Sequence, residues 1–310
     1  MQFYTLFLLL IMLSGNLFGA LEDHFKPCPN KDKNCRMPGI DYIYMINLDQ
    51  RPEKFALSAA ELAPYGITPY RFSAVNGWEI PVETLNSIGI PFRSWMPKDL
   101  WGTSYLPENN GAPHHEIMQV PGRNYYSHCL SRGAIGIVLS HLSILQDAYK
   151  SGYETIWVME DDVKVIKDPR KLTSLIKELD KVVGKRNWDV LFTDPDTKRR
   201  DGTYVPCLGY ARRPNFEPKN PERFVHREVI NKNFRKVGAR YGAYSMIVRR
   251  SGMKKILNFI KRYGVFLPYD MEFYLINDIN LYTTRYDVVS TLPDALSDNG
   301  NDNYNKKVTN

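Results

Sequence analysis

Cysteine is scarce, with four in 310 residues, and the spacings of Cys28, Cys35, Cys129 and Cys207 lack the paired short ligand motifs of structural zinc. Internal repeats are absent. No glycine-rich phosphate loop stands beside the first strand-like segment, which weighs against a nucleotidyltransferase or similar nucleotide enzyme. Long apolar runs are missing apart from residues 3–13, and Asn16 interrupts that one well short of the roughly 20 residues a membrane span needs. With Gly19-Ala20 behind it, the run reads as the core and cleavage zone of a secretory signal, although no Lys or Arg precedes it. The C-terminal Lys-Val-Thr-Asn is not a retention signal of the KDEL type.

What is present suits a globular chain with a sizeable core: 43% of residues are hydrophobic, 13% aromatic and 24% charged. Position says more than abundance. Residues 198–236 hold 11 Lys and Arg against 4 Asp and Glu, a surplus equal to the excess of 41 over 34 in the whole chain. This stretch is expected either as a solvated face or as a surface for an anionic acceptor or an anionic membrane. Nucleic acid is not expected, because no reading motif accompanies the charge.

The chain divides into an apolar segment (1–20), a polar, proline-containing linker (21–40), one large domain (41–295) with the basic insertion at 196–236, and a flexible polar tail (296–310). In the linker, Cys28 and Cys35 are close enough in sequence for a disulfide in an oxidising compartment, while Cys129 and Cys207 read as small buried apolar residues. Strand-like segments are expected at 41–48, 70–75, 154–160, 188–193, 243–248 and 284–291. Helices are expected from Pro52, from an N-cap at Ser131, over 169–183 and over 252–262. Residues 89–130, with Trp95, Trp101, Tyr105, Tyr125 and Tyr126, suggest an ordered loop. Strands alternating with helices imply an α/β layer structure with a mainly parallel sheet.

In such a sheet, ligands bind beyond the carboxyl ends of the strands, where Glu160, Asp161 and Asp162 fall. Three adjacent carboxylates repel one another unless a hard cation or solvent compensates them. A divalent metal held there would bridge to a nucleotide diphosphate and neutralise the charge on a departing phosphate. Carboxylates solvated at a strand end, or capping the next helix, are the simpler alternative.

Several segments together resemble glycosyltransferase family 25, which includes bacterial lipooligosaccharide galactosyltransferases and collagen-modifying galactosyltransferases of animals. They are Ile46-Asn47-Leu48-Asp49 with Arg51, Phe72-Ser73-Ala74-Val75-Asn76-Gly77, Gly133-Ala134-Ile135-Gly136 running to Leu139-Ser140-His141, and Glu160-Asp161-Asp162. Tyr241-Gly242-Ala243-Tyr244, Arg250-Ser251-Gly252 and Pro268-Tyr269-Asp270 follow in order, so the likeness covers roughly residues 41 to 290. It implies a GT-A type nucleotide-sugar-binding fold, a UDP-sugar donor, a manganese-like cofactor, and inversion at the anomeric carbon. The acceptor would be a glycan, glycolipid or protein-bound hydroxyl.

On this resemblance Glu160 and Asp162 are expected on the metal, and Asn47, Arg51, Asn76, Ser140, His141 and Asp161 against the donor. Asp270 is expected as the base that takes the acceptor proton, with Asp194 and Asp196 as rivals and a helix N-cap as its structural alternative. Arg51 also suits a structural ion pair, and His141 a satisfied core position. Two features depart from the family. Asn76 stands where Asp is usual, although an amide can hydrogen-bond a ribose or a uracil. The basic insertion lengthens a connection that is usually shorter. The alternative to an active transferase is a carbohydrate- or nucleotide-binding protein of the same fold without turnover. The apolar start and the cysteine pair point to export, to a periplasmic, lumenal or secreted site. Glycolipid-building bacterial members would instead work in the cytoplasm or at its membrane.

Overall fold

The computed structural model describes residues 21–199 and 201–292. The expected signal segment and the whole of the expected tail therefore lie outside the described residues. Eight strands form the main sheet: β1 (Tyr42–Asn47), β2 (Tyr70–Ser73), β3 (Thr155–Glu160), β4 (Val190–Phe192), β5 (Arg227–Val229), β6 (Phe234–Val237), β7 (Ser245–Arg249) and β8 (Leu281–Thr284). Their order is β5-β6-β8-β4-β7-β3-β1-β2. Neighbours β1 and β2, β1 and β3, and β4 and β8 run parallel, whereas β6 and β7 are antiparallel to both of their neighbours. The sheet is thus mainly parallel in strand direction, with two strands inserted against the rest.

The sequence writes two faces into these strands, because alternate side chains point to opposite sides. Tyr42, Tyr44, Ile46, Ile156 and Val158 turn to one core, shared with α3 (Arg132–Lys150) and α5 (Arg250–Tyr263). Ile43, Met45, Trp157 and Met159 turn to the other, shared with α1 (Pro52–Leu62) and α4 (Leu172–Val183). Helices on both faces of the sheet make three layers. Residues buried in both directions explain why the strands read as continuous apolar runs. Pro52 opens α1 at its first position, and the Ser131 hydroxyl accepts from Ala134 N at 3.1 Å to cap α3.

Six expectations are corrected, one of them Cys129, which is exposed rather than buried. Residues 21–40 are not a linker. Leu21 and Cys35 are buried, and Lys31 Nζ donates to Asp147 Oδ2 at 2.8 Å, so this stretch is pinned to the domain. Cys28 and Cys35 are both free thiols. Burial and neighbouring Asp147 push the Cys28 thiol up to about 12, whereas Cys35 lies beside Tyr42, so the two face different surroundings. Residues 89–130 contain a four-stranded antiparallel sheet of Ile90–Pro91, Asn124–Ser127, Trp101–Tyr105 and Pro113–Ile117, preceded by α2 (Val82–Ile88). Residues 284–291 are two strands rather than one: β8 ends at Thr284, and Val289–Thr291 pairs separately with Val163–Val165. Finally, the basic insertion carries β5 and β6, so part of it belongs to the sheet itself.

Part of the insertion's charge is consumed inside the molecule. Arg213 forms a buried ion pair with Glu272 and donates to the carbonyls of Tyr263 and Gly264 at 2.8 and 2.9 Å. Arg227 and Arg235 both pair with Asp196, at 3.1 and 2.8 Å. Arg223 donates to the carbonyls of Tyr274 and Leu275 at 2.9 Å each. Among the described residues, no helix is long and apolar enough to cross a membrane.

Candidate active site

Parallel strands β1, β2 and β3 end on one edge of the sheet, and a small cavity of about 80 Å³ opens there. Its wall draws Leu48 from the end of β1, Asn76 to Trp78 from the turn after β2, Gly133 from the first turn of α3, and Glu160 to Asp162 from the end of β3. The helix N-terminus and the strand ends supply the two elements that anionic ligands use in open α/β sheets.

The three acids have separate fates. Asp161 lines the cavity but is tied to β1 and α1: its carboxylate accepts from Asn47 Nδ2 at 2.6 Å, and its carbonyl accepts from Ser58 Oγ at 2.7 Å. Asp162 is steered by the strand Val289–Thr291, whose Thr291 hydroxyl donates to Oδ2 at 3.1 Å. Its other oxygen, Oδ1, is buried with no hydrogen-bond partner. Glu160 meets His141 Nε2 at 3.3 Å and keeps about a quarter of its side chain open, with 24% exposure. Burial, then the charges of Asp161 and Asp270, push Glu160 up to about 8. Burial and Glu160 push Asp162 up to about 6.

A carboxylate oxygen buried without a donor costs free energy that a cation would offset. Among the described residues, no group of three His, Cys, Asp or Glu side chains forms a ready metal cage. Hard divalent ions in nucleotide sites commonly take only one or two carboxylates and draw their remaining ligands from phosphate and water. Glu160 and Asp162 fit that donor set.

The other expected residues divide clearly. Asn76 and Ser140 line the cavity. Ser140 accepts from Val75 N at 2.8 Å and donates to Gly136 O at 2.7 Å, so it holds the turn in place. Asn47 also lines the cavity, but its amide donates to Arg51 O and Asp161, and its oxygen accepts from Arg71 Nε at 2.7 Å. All its side-chain hydrogens are therefore committed to the protein. Arg51 lies outside the cavity wall and pairs with Glu53 at 2.6 Å. His141 is fully buried behind the wall, stacked on Tyr269 with ring centroids 4.1 Å apart. Burial pushes it down to about 3, so it is neutral.

Asp270 is the first-turn residue of a short helix α6 (Tyr269–Phe273) whose N-cap position is Pro268, not Asp270. It accepts from Gly242 N at 2.6 Å and Met271 N at 3.0 Å. It lies within electrostatic range of both Glu160 and His141, and burial raises its carboxyl. The rivals are engaged elsewhere. Asp194 is buried against Arg240, Tyr244 and Ser290, and Asp196 is held by Arg227 and Arg235.

Sequence reasoning missed Lys54, Trp78 and Thr291. Lys54 lines the cavity, and its positive charge acts on both Glu160 and Asp162. Its place in the first turn of the helix after β1 was the available signal. Thr291 had none, since its contact with Asp162 spans 129 positions.

The three-layer arrangement of helices on a large, mainly parallel sheet is that of a GT-A-like fold. Residues 40–273 match the family model described as glycosyltransferase family 25 (LPS biosynthesis protein). The chain belongs to glycosyltransferase family 25. It is 27% identical to a "Glycosyltransferase 25 family member" of Aedes aegypti, over 54% of this chain and 23% of that protein. It is 24% identical to "Procollagen galactosyltransferase 2" of Mus musculus, over 75% of this chain and 29% of that protein. It is 29% identical to "Inactive glycosyltransferase 25 family member 3" of Mus musculus, over 50% and 22%. The alignments with these relatives span less than a third of their length.

Proposed function

We propose that this chain is an inverting, metal-dependent glycosyltransferase that moves a hexose, galactose or glucose, from a UDP-sugar to a hydroxyl of a glycan, glycolipid or protein-bound acceptor. The observation that carries this reading is the unpartnered Asp162 oxygen beside Glu160 in a cavity at the ends of β1, β2 and β3. Glu160 and Asp162 would hold a divalent cation, manganese by preference, which supplies neutralisation of the charge growing on the departing diphosphate. Lys54 places a second positive charge beside the same acids.

Asp270 takes the acceptor proton in this reading. A carboxyl raised by burial is a stronger base, and the backbone N–H groups of Gly242 and Met271 fix its orientation. His141, neutral and packed between Glu160 and Tyr269, keeps the acid strand in register with α6. Export through the apolar run at residues 3–13 completes the proposal, and N-terminal sequencing of the mature protein tests it. The basic insertion does not supply an acceptor surface through Arg213, Arg227 or Arg235, which are committed internally.

The test is release of UDP from UDP-galactose and UDP-glucose, with and without manganese, by the wild-type chain and by Asp162→Asn. Manganese-dependent release that disappears in the variant supports the transferase; equal release by both sinks it. A second reading, a non-catalytic binding domain, draws support from the Asn76 departure and from relatives named inactive. It predicts manganese-dependent binding of UDP-sugar without release.

A further inference from the structure

Two tryptophans stand in the open at one end of the small antiparallel sheet. Trp95 is 68% exposed and Trp101 55%, whereas Trp157 and Trp188 are fully buried. Trp101 opens the strand Trp101–Tyr105 and lies opposite Ile117, itself 40% exposed. Opposed residues of an antiparallel pair share a face, so indole and isoleucine form one apolar strip. Two positions along the same face, the Thr103 hydroxyl and the His115 ring are hydrogen-bonded at 2.9 Å, which borders the strip with polar groups. Trp95 is held out by a fixed loop. Its neighbour Met96 is buried, and Phe92 exchanges backbone hydrogen bonds with Gly122 and Arg123 at 2.8 and 2.9 Å. Exposed aromatic area on a firm backbone marks a contact surface rather than a core.

The strip adjoins the side of the site where an acceptor meets its base. Ser127 pairs with Gly102, the neighbour of Trp101, and Ser127 N donates to Phe266 O at 2.8 Å. Phe266 stands four positions before Asp270, a reach of at most about 14 Å. Asp99, two residues before Trp101, pairs with Arg212 at 2.7 Å, and the adjacent Arg213 pairs with Glu272 of α6. Exposed His128 follows Ser127 and leads through the N-cap Ser131 to Gly133 in the cavity wall. The strip is thus tied to the helix that carries the base and to the helix that lines the cavity.

Charge selects the occupant. Residues 89–130 hold three Lys and Arg and three Asp and Glu, a neutral region in a chain of net charge +7. Asp99 with Arg212, and Glu116 with Arg123, cancel in pairs. An anionic membrane or a phosphorylated acceptor would call for a surplus of cations here. A pyranose ring instead offers an apolar C–H face and a rim of hydroxyls. The electron-rich face of an indole attracts those C–H bonds, and neighbouring His and Thr side chains meet the hydroxyls.

We propose that Trp95 and Trp101 form the acceptor-docking platform, and that its occupant is a neutral oligosaccharide whose rings stack on the indoles while its terminal hydroxyl reaches Asp270. The inference rests on the transferase reading above and deepens it by naming the acceptor class, an uncharged glycan.

The test is binding of the purified chain to an array of neutral oligosaccharides ending in galactose, glucose, mannose or N-acetylglucosamine, printed beside sulfated and phosphorylated ones. Cosedimentation with phosphatidylserine–phosphatidylcholine vesicles runs in parallel. Wild type is expected to bind at least one neutral series. For that series Trp95→Ala and Trp101→Ala each weaken binding about tenfold, and Trp101→Phe, which keeps a ring face, about threefold or less. Both alanine variants should unfold at the wild-type urea concentration, because neither ring is packed in the core. Binding of no neutral glycan, binding confined to charged glycans or vesicles, or neutral binding that either alanine variant retains in full overturns the inference. Manganese-dependent UDP release by wild type judges the transferase reading separately. Neutral-glycan binding through the tryptophans without UDP release would remove that reading and leave the platform as a glycan-binding surface.

Discussion

Replacing Glu272 by Gln tests whether the basic insertion is a structural element or a charged surface. Glu272 and Arg213 are both fully buried, with no side-chain exposure on either partner. Burial pushes Glu272 up and Arg213 down, each toward its neutral form, so the pair stands only because the partners face each other. The other carboxylate oxygen accepts from Phe266 N and Leu267 N at 2.7 Å each. A glutamine has one oxygen for these two positions. Whichever way its amide turns, an N–H is driven against the Arg213 guanidinium or against two backbone N–H groups, and Arg213 loses its counter-charge. Breaking a buried pair by removing one partner costs about 3–5 kcal/mol, against a typical domain stability of about 5–15 kcal/mol.

Urea unfolding followed by tryptophan fluorescence reads this directly. Glu272→Gln is expected to lower the unfolding free energy by about 3 kcal/mol or more. Arg212→Gln, next in sequence but paired with Asp99 at the surface, is expected to leave the unfolding midpoint where it is. The double variant Arg213→Met, Glu272→Leu should be less destabilised than the sum of its single changes, because the charges leave together. A loss below about 1 kcal/mol for Glu272→Gln would refute the reasoning and return the insertion to the status of a surface feature.

Other outcomes follow from the same structure. Asp270→Asn should keep the fold and donor binding while abolishing sugar transfer, whereas Asp194→Asn should lower stability through the loss of a buried partner to Arg240; the reverse pattern in turnover and melting would exchange their roles. Four thiols should titrate with Ellman's reagent in denaturant, and exposed Cys129 first in native protein; two in denaturant would mean that Cys28 and Cys35 had bonded. The folded chain retains the Glu160 proton up to about pH 8, while the unfolded chain loses it near its ordinary value of 4.5. Stability without metal should therefore fall as pH rises through that window, and the stabilisation by manganese should grow over it, because the metal replaces the proton. A manganese-induced melting shift that is flat from about pH 5 to about pH 8 would remove Glu160 from the ligand set. Gly77→Ala should be strongly destabilising, since its Cβ would collide with a backbone carbonyl rather than a movable side chain; soluble protein with unchanged urea sensitivity would contradict the tight fit between the turn and α3.

Much of this protein is legible before folding, because the determinants are local. Apolar runs in β1 and β3, the proline opening α1 and the serine capping α3 act through neighbouring residues, so periodicity and caps place the elements. The position of Glu160 to Asp162 at a strand end follows from the same signals. What the chain does not announce is partner choice across the fold. Three adjacent acids look equivalent in sequence, yet one is claimed by Asn47 and another by Thr291, 129 positions away, which leaves Asp162 Oδ1 buried without a donor. A surplus of arginine reads as surface charge until packing supplies buried carboxylates such as Glu272. Residues 21–40 read as a linker because their polar groups find partners only once Ser73, Ala74 and Asp147 are assembled. Local propensity and pattern set the elements and bring acids to a strand end. Tertiary structure decided which of those groups are satisfied and which remain open to a ligand, because hydrogen-bond partners and burial are properties of the assembled chain.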